Sequence, residues 1–393
     1  MNRIFRRRVL YIPGYDPIPP RRYRELYRRE GADQARISGY TLVQANRGDD
    51  TGFGWAADSR IKGAQTHTEF EVLVWGDIVQ GSMGRSIPAT YLQLAQTVWA
   101  YVGSGALWRL MRLRRGPVIA ALYPIAVLLA QLVVALLLAA LAAWAVAHLS
   151  GWLAAPVAAL VFAAVLMLWR RLDGRIFAYY LMHDYALTAR TGGAYPPALE
   201  TRIAAFTDRI AQVLAQDWDE VLIVGHSSGA CIAVSAVADL LRRGTSPQRL
   251  SLMTLGHVVP MLTALPRADR LRADLTMLAG QDGIFWLDVT APGDACCFGL
   301  CDPVAVNGLT PPGGQRGPLV LSAAFTQTLS PERQRAMRWR WFRRHFQYLC
   351  AFDLPRDYDY FAITAGPQSL RQRFGARGHS PGRITRPALA MQP

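Results

Sequence analysis

Gly225-His226-Ser227-Ser228-Gly229 carries the pattern Gly-x-Ser-x-Gly. The bare pattern is common; its setting gives it chemical meaning. The apolar run Val221-Leu222-Ile223-Val224 leads directly into it, and residues 230–243, helical in character and rich in small side chains, lead out. A tight strand-to-helix turn forces the serine backbone into a strained conformation and lifts its hydroxyl above the sheet. Gly225 and Gly229 remove side chains that would clash there. Ser227 is therefore a candidate nucleophile, provided that a base takes its proton. A phosphate cradle is not indicated, because neither Gly-x-x-x-x-Gly-Lys nor Gly-x-Gly-x-x-Gly occurs.

The elements around this turn alternate. Arg8-Val9-Leu10-Tyr11-Ile12 reads as a short strand ended by Pro13-Gly14. Residues 21–29 are polar and helical in character. Residues 40–44, 69–75, 252–255, 284–290 and 319–324 read as strands. Leu199, Ile203, Phe206, Ile210, Val213 and Leu214 follow helical spacing. Such alternation predicts an α/β fold with helices packed on a mostly parallel sheet.

With these motifs the chain resembles the α/β-hydrolase superfamily, in particular its lipases and esterases. The resemblance covers most of the chain outside one long apolar insert. It implies an oxyanion site built from two backbone N–H groups. One lies in the loop after the first strand, here Pro13-Gly14-Tyr15-Asp16, and is assigned to Tyr15. The other belongs to the residue after the nucleophile, Ser228. Donors fixed before reaction stabilise charge that develops in the transition state, by ~3 kcal/mol each.

The resemblance also implies the chain order Ser, Asp or Glu, His. That order excludes His67, His148, His183, His226 and His257, and leaves His345 and His379. His379 falls in a basic terminal stretch where nothing is expected to hold it. His345 shares a four-residue spacing with Met337, Trp341 and Leu349, an apolar helical stripe, and is the expected base. The acid is expected just past a strand that follows the elbow. Asp294, in the loop after Ile284-Phe285-Trp286-Leu287-Asp288-Val289-Thr290, is the first choice. This Trp-bearing strand with its Asp-bearing loop is similar to the acid loop of membrane-associated lipases. Asp302 is second and Asp288, inside the strand, third.

From Pro117 to Trp169, 53 residues, there is no Asp, Glu, Lys or Arg. One membrane-spanning helix needs roughly 20 apolar residues, so this stretch suffices for two. Backbone groups in hydrocarbon must be satisfied internally, which demands helices. Spans are expected near 123–146 and 152–168, joined by a turn at His148-Leu149-Ser150-Gly151. Arg109, Arg112, Arg114 and Arg115 precede the pair, and Arg170, Arg171 and Arg175 follow it. Basic flanks stay cytoplasmic, so both ends and the catalytic part are expected inside a plasma membrane, as in a bacterial inner membrane.

The chain has 393 residues and a formal charge of +15, with Lys62 the one lysine among 43 basic residues. The arginines are spread along the chain without a nucleic-acid-binding signature, so no nucleic-acid partner is expected. Five cysteines do not make a disulfide scaffold at this length. The N-terminal apolar run is cut by Pro13-Gly14, too early for a secretory signal. Cys296-Cys297-Phe298-Gly299-Leu300-Cys301 lacks a fourth ligand for a closed zinc site, and no metal or organic cofactor is expected. The stretch 333–344 holds six arginines with Trp339 and Trp341, a composition suited to anionic lipid.

The expected organisation is thus an N-terminal part of the hydrolase domain (1–108), a transmembrane hairpin (109–175), a C-terminal part with elbow, acid and His (176–365), and a flexible basic tail (366–393). The expected activity is hydrolysis of a lipid or other carboxylic ester through Ser227, His345 and Asp294. The alternatives are an amidase or thioesterase with the same residues, or a non-catalytic membrane protein that uses the scaffold for partner or lipid binding.

Overall fold

A computed structural model describes residues 3–48, 52–84 and 86–390. The strand β1 (Phe5–Ile12) is the axis of the molecule. Val9 and Tyr11 point into one apolar cluster, Leu10 and Ile12 into another, so both faces of the strand are covered. A strand buried on both faces needs the near-continuous apolar run that the sequence supplies.

Seven further strands complete one sheet: β2 (Thr41–Ala45), β3 (Gly54–Ile61), β4 (Ala64–Val72), β5 (Glu220–His226), β6 (Leu250–Leu255), β7 (Phe285–Thr290) and β8 (Leu319–Ser322). Their order is β2-β3-β4-β1-β5-β6-β7-β8. The six from β4 to β8 through β1 run parallel, and β2 and β3 pair antiparallel at one edge. The β3–β4 hairpin turns on Lys62 and Gly63, both at positive φ, which suits a two-residue loop.

The helices that matter to the site are α1 (Arg21–Ser38), α2 (Ile87–Gly103), α3 (Ala106–Leu113), α4 (Arg115–Ala147), α5 (Ala154–Arg171), α6 (Ala178–Ala189), α7 (Pro197–Leu214), α8 (Gly229–Arg242) and α9 (Trp341–His345). The helix α8 is buried along almost its whole length, with Ala230, Ala233, Ala236 and Val237 against the sheet. Its small first-turn side chains allow that close approach.

Two helices are long and apolar enough to cross a membrane: Arg115–Ala147, mean hydropathy 2.8, and Gly151–Arg171, mean hydropathy 2.2. They pack on each other, and most of their apolar surface, including Leu137, Leu141 and Leu160, is exposed. The expected turn at 148–151 is the bend between them. The first helix starts at Arg115, eight residues before the expected span. At 33 residues it is about 50 Å long, against a hydrocarbon core of ~30 Å. Its first turns therefore have length to spare, and Pro117, Val118 and Ala120 are buried against the rest of the protein.

Two expectations need correction. The stretch from Gly366, expected as a flexible tail, is fastened to the domain at several points although many of its side chains are exposed; residues 391–393 lie outside the described residues. Leu370 and Phe374 sit in the core on a short helix with a Ser369/Gln372 capping box. Leu389 is buried, Ser380 N–H donates to the Val320 carbonyl, and Asp302 pairs with Arg383. The fully buried Arg7 fastens the stretch to β1, donating to the Gly366 and Gln368 carbonyls while pairing with Glu220 at 2.7 Å. Its apolar anchors, Leu370, Phe374 and Leu389, are few and far apart, and backbone and arginine bonds hold the residues between them. Second, the stripe 337–349 is not one helix. It breaks after Met337 into the single turn of α9 and a 3₁₀ turn, Phe346–Leu349.

Candidate active site

The site stands at the carboxyl ends of β1, β5, β6 and β7. In open α/β sheets that edge is the usual place for a ligand crevice. Ser227 follows β5 directly, with φ at +58°. This left-handed conformation is rare for a residue with a side chain and marks a site where strain is retained. Its N–H donates to the Leu255 carbonyl at 2.9 Å, which ties the turn to β6.

Both flanking glycines are forced by close approach. A Cβ on Gly225 would lie 2.7 Å from the Ala230 Cα, and one on Gly229 would lie 2.3 Å from the Pro13 carbonyl oxygen. The loop after β1 crosses directly over the serine: a Cβ on Gly14 would meet the Ser227 Cβ at 2.9 Å. The Trp75 indole N–H holds that loop by donating to the Pro13 carbonyl at 2.8 Å.

His345, at the end of α9, is buried beside this turn. Its Nδ1 lies 2.7 Å from Asp294 Oδ2. The same carboxylate oxygen accepts the Tyr348 hydroxyl at 3.1 Å, and Oδ1 accepts the Cys296 N–H at 2.9 Å. Burial pushes the Asp294 carboxyl up, but His345 and these hydrogen bonds outweigh it and hold the group below the usual carboxylate range. The His345 carbonyl accepts from His226 Nε2 at 3.1 Å, and the two imidazoles are 4.8 Å apart. Burial first, then the neighbouring His345, lowers His226 to about 3, so it is neutral. Gly256, at φ +52°, leaves room for Tyr348 and His345, since a Cβ there would lie 2.6 Å from Tyr348 Cε2 and 3.2 Å from His345 Cε1.

Ser227, Ser228, Tyr15 and His345 line one cavity of about 110 Å³. Asp184 on α6 is also in its wall. Burial raises the Asp184 carboxyl to about 7, with His345 partly offsetting the rise. The Phe342 ring of α9 meets Tyr180 of α6 at 5.8 Å, so these two helices close one side of the cavity.

The structure thus puts Ser227 and His345 on the wall of one cavity and pairs His345 with Asp294. It does not bring the other acids there. The Asp302 carboxylate is occupied by Arg383, Gln315 and two backbone N–H groups. Asp288 is buried behind the site, accepting from Thr254 at 2.6 Å. His379 is held after all, its Nδ1 accepting the Val320 N–H at 3.1 Å, but away from the cavity. The Tyr15 N–H is not free: it donates to the Ser228 Oγ at 2.8 Å.

Sequence reasoning missed Tyr348, His226 and Asp184 as members of the site. Tyr348 had a signal, its place three residues after His345. Asp184 had none, because α6 reaches the cavity only through tertiary packing.

Asp294, Cys296 and His345 each bring a ligand atom within 4.8 Å of the others. Three ligand atoms fall short of the four of a closed zinc site. Asp294 and His345 already share a short hydrogen bond, and burial pushes the Cys296 thiol well above its usual range.

Compared with known proteins, the chain matches no family model, no curated protein and no solved structure.

Proposed function

We propose that this chain is a membrane-anchored serine hydrolase of the α/β-hydrolase type that cleaves carboxylic esters. The observation that carries the reading is the buried 2.7 Å contact between His345 Nδ1 and Asp294, where His345 lines the same cavity as a serine at positive φ.

In this mechanism Asp294 fixes the tautomer with a proton on Nδ1 and leaves Nε2 as the base. Ser227 Oγ attacks the ester carbonyl as His345 takes its proton. His345 then gives that proton to the departing alkoxide. Water, deprotonated by His345, attacks the acyl-enzyme, and its proton returns to Ser227 Oγ as the acid leaves. The negative oxygen formed at each addition faces the start of α8, where the Ser228 N–H is offered. The Tyr15 N–H joins it once Ser228 Oγ gives way. Two apolar helices long enough to cross a membrane support anchoring beside the bilayer. The same residues serve an amidase or thioesterase, and a panel of matched ester, thioester and amide substrates separates these.

The test is labelling of the detergent-solubilised protein by a fluorophosphonate probe, followed by mapping of the labelled peptide. The expected adduct is on Ser227. Labelling of wild type no faster than that of Ser227→Ala removes the hydrolase reading and leaves a scaffold that binds without turnover.

A further inference from the structure

A second cavity, of about 130 Å³, abuts the one that holds Ser227. It lies among α2, α3 and α4. Tyr101, Tyr185 and Met261 line both cavities, so they form the partition between them. The Tyr101 hydroxyl is spent on the Met261 carbonyl at 3.2 Å. The rest of the lining is almost wholly apolar, with Val98, Leu107, Leu110, Val118, Ala121 and Ile125 contributing. No charged side chain lines it.

Its outer end is the informative part. Val102 and Leu122 line the cavity and are also 45% and 39% exposed. Around them, Trp99 on α2, Trp108 on α3 and Ile119 on α4 are exposed at 78%, 57% and 61%. Exposed tryptophans at the base of an apolar hairpin are the residues that settle at a membrane interface. The cavity walls on α4 are Val118, Ala121, Leu122 and Ile125, at the end of the helix where its long apolar run begins. An apolar void, walled by a helix long and apolar enough to cross a membrane and rimmed by exposed tryptophans, thus adjoins the cavity that holds the serine, with only the Tyr101, Tyr185 and Met261 side chains between them.

We propose that this second cavity binds the acyl chain of a bilayer lipid, which reaches Ser227 sideways past Val102 and Leu122 rather than from water. This deepens the hydrolase reading and, for the turnover step, rests on it. The occupant is a single alkyl chain. An apolar cavity of ~150 Å³ holds one benzene ring, so this one houses about six carbons and no peptide helix. The bond broken is then an ester of a medium or long fatty acid.

Two experiments decide it. The first needs no turnover. Ser227→Ala protein in phosphatidylcholine nanodiscs is irradiated with a phosphatidylcholine that carries a diazirine within one acyl chain. Adducts are expected on Leu110 and Val118, which line the second cavity but not the one that holds Ser227 and are 1% and 2% exposed, out of reach of bulk lipid. Adducts confined to outward residues such as Leu137 overturn the proposal. The second compares nitrophenyl dodecanoate with nitrophenyl butyrate. Ala121→Phe, which fills the cavity from α4, is expected to lower the dodecanoate-to-butyrate rate ratio about tenfold, and an unchanged ratio in folded protein overturns the proposal. If the fluorophosphonate probe fails to label wild type, the hydrolase reading falls alone, and the crosslinks still decide the acyl site.

Discussion

Tyr348 donates its hydroxyl to the same Asp294 oxygen that faces His345 Nδ1, at 3.1 Å. The hydroxyl also accepts the Ala291 N–H at 2.9 Å, so the acid is braced against its own loop. In the proposed mechanism Asp294 sets the imidazole tautomer. Asp294→Asn is therefore expected to slow probe labelling by about 10³–10⁴. Tyr348→Phe leaves the carboxylate in place but loosens it, and is expected to cost about tenfold. Second-order labelling rates on folded protein measure both. Equal rates for Tyr348→Phe and wild type remove the bracing role.

Ser228 Oγ accepts the Tyr15 N–H that the proposed oxyanion site would use. Ser228→Ala keeps both backbone donors and releases that N–H. Its labelling rate is expected to stay within about tenfold of wild type, since the loss of a whole oxyanion donor costs 10²–10³. A fall of that larger size would make the Ser228 hydroxyl itself the donor.

Gly14 passes so close to Ser227 that a Cβ would sit 2.9 Å from the serine Cβ. Gly14→Ala must push the loop or the elbow aside. The variant is expected to fold and to lose at least tenfold in labelling rate, because small misplacements at a reacting centre are costly. A circular dichroism spectrum and melting temperature separate this from unfolding.

Stability should fall in mild acid. His226 is lowered to about 3 in the folded protein, whereas a free imidazole titrates near ~6.5. Between those values the unfolded chain binds one proton more, so acid favours unfolding by up to ~1.4 kcal/mol per pH unit. Below the usual carboxylate range Asp294 adds to the loss, because its folded form also resists protonation. Denaturant midpoints from pH 7 to pH 4 measure the slope. His226→Gln is expected to flatten it between pH 6.5 and 4. An unaltered slope assigns the acid sensitivity elsewhere.

The basic flanks predict that a reporter at Ser150 lies outside the cytoplasm and that reporters fused to both ends lie within it. Accessibility of a single introduced cysteine at Ser150 to an impermeant thiol reagent gives the same answer independently. Labelling of that cysteine only after permeabilisation reverses the orientation.

The parallel core was legible in the sequence because its strands are buried on both faces. Val221 to Val224 and Val9 to Ile12 are uninterrupted apolar runs. β3, with the sequence GWAADSRI, was not read as a strand. It is antiparallel and near the sheet edge, and its buried Trp55, Ala56 and Ala57 are followed by Asp58, Ser59 and Arg60, so it offers neither a continuous apolar run nor a clean alternation. The elbow could be read because its glycines and serine are adjacent. Positions brought together by packing, such as Asp184 and the packed 366–390 stretch, leave no local pattern to find. Arg7 and Arg8 resemble a solvated basic run, yet both are buried and paired with Glu220, Glu69 and Glu71. Sequence shows charge without its partner, and these partners lie 61 to 213 residues away.

β1 and β5 are hydrogen-bonded neighbours, with Leu10 opposite Ile223, although the whole hairpin separates them along the chain. This pairing imposes a parity rule. A polypeptide that crossed the bilayer an odd number of times between Ile12 and Glu220 would strand the two halves of the sheet in different compartments. In the proposed membrane-anchored form, changing the arginine flanks would therefore invert the protein as a unit or abolish its folding. It cannot yield a folded form with its ends on opposite sides.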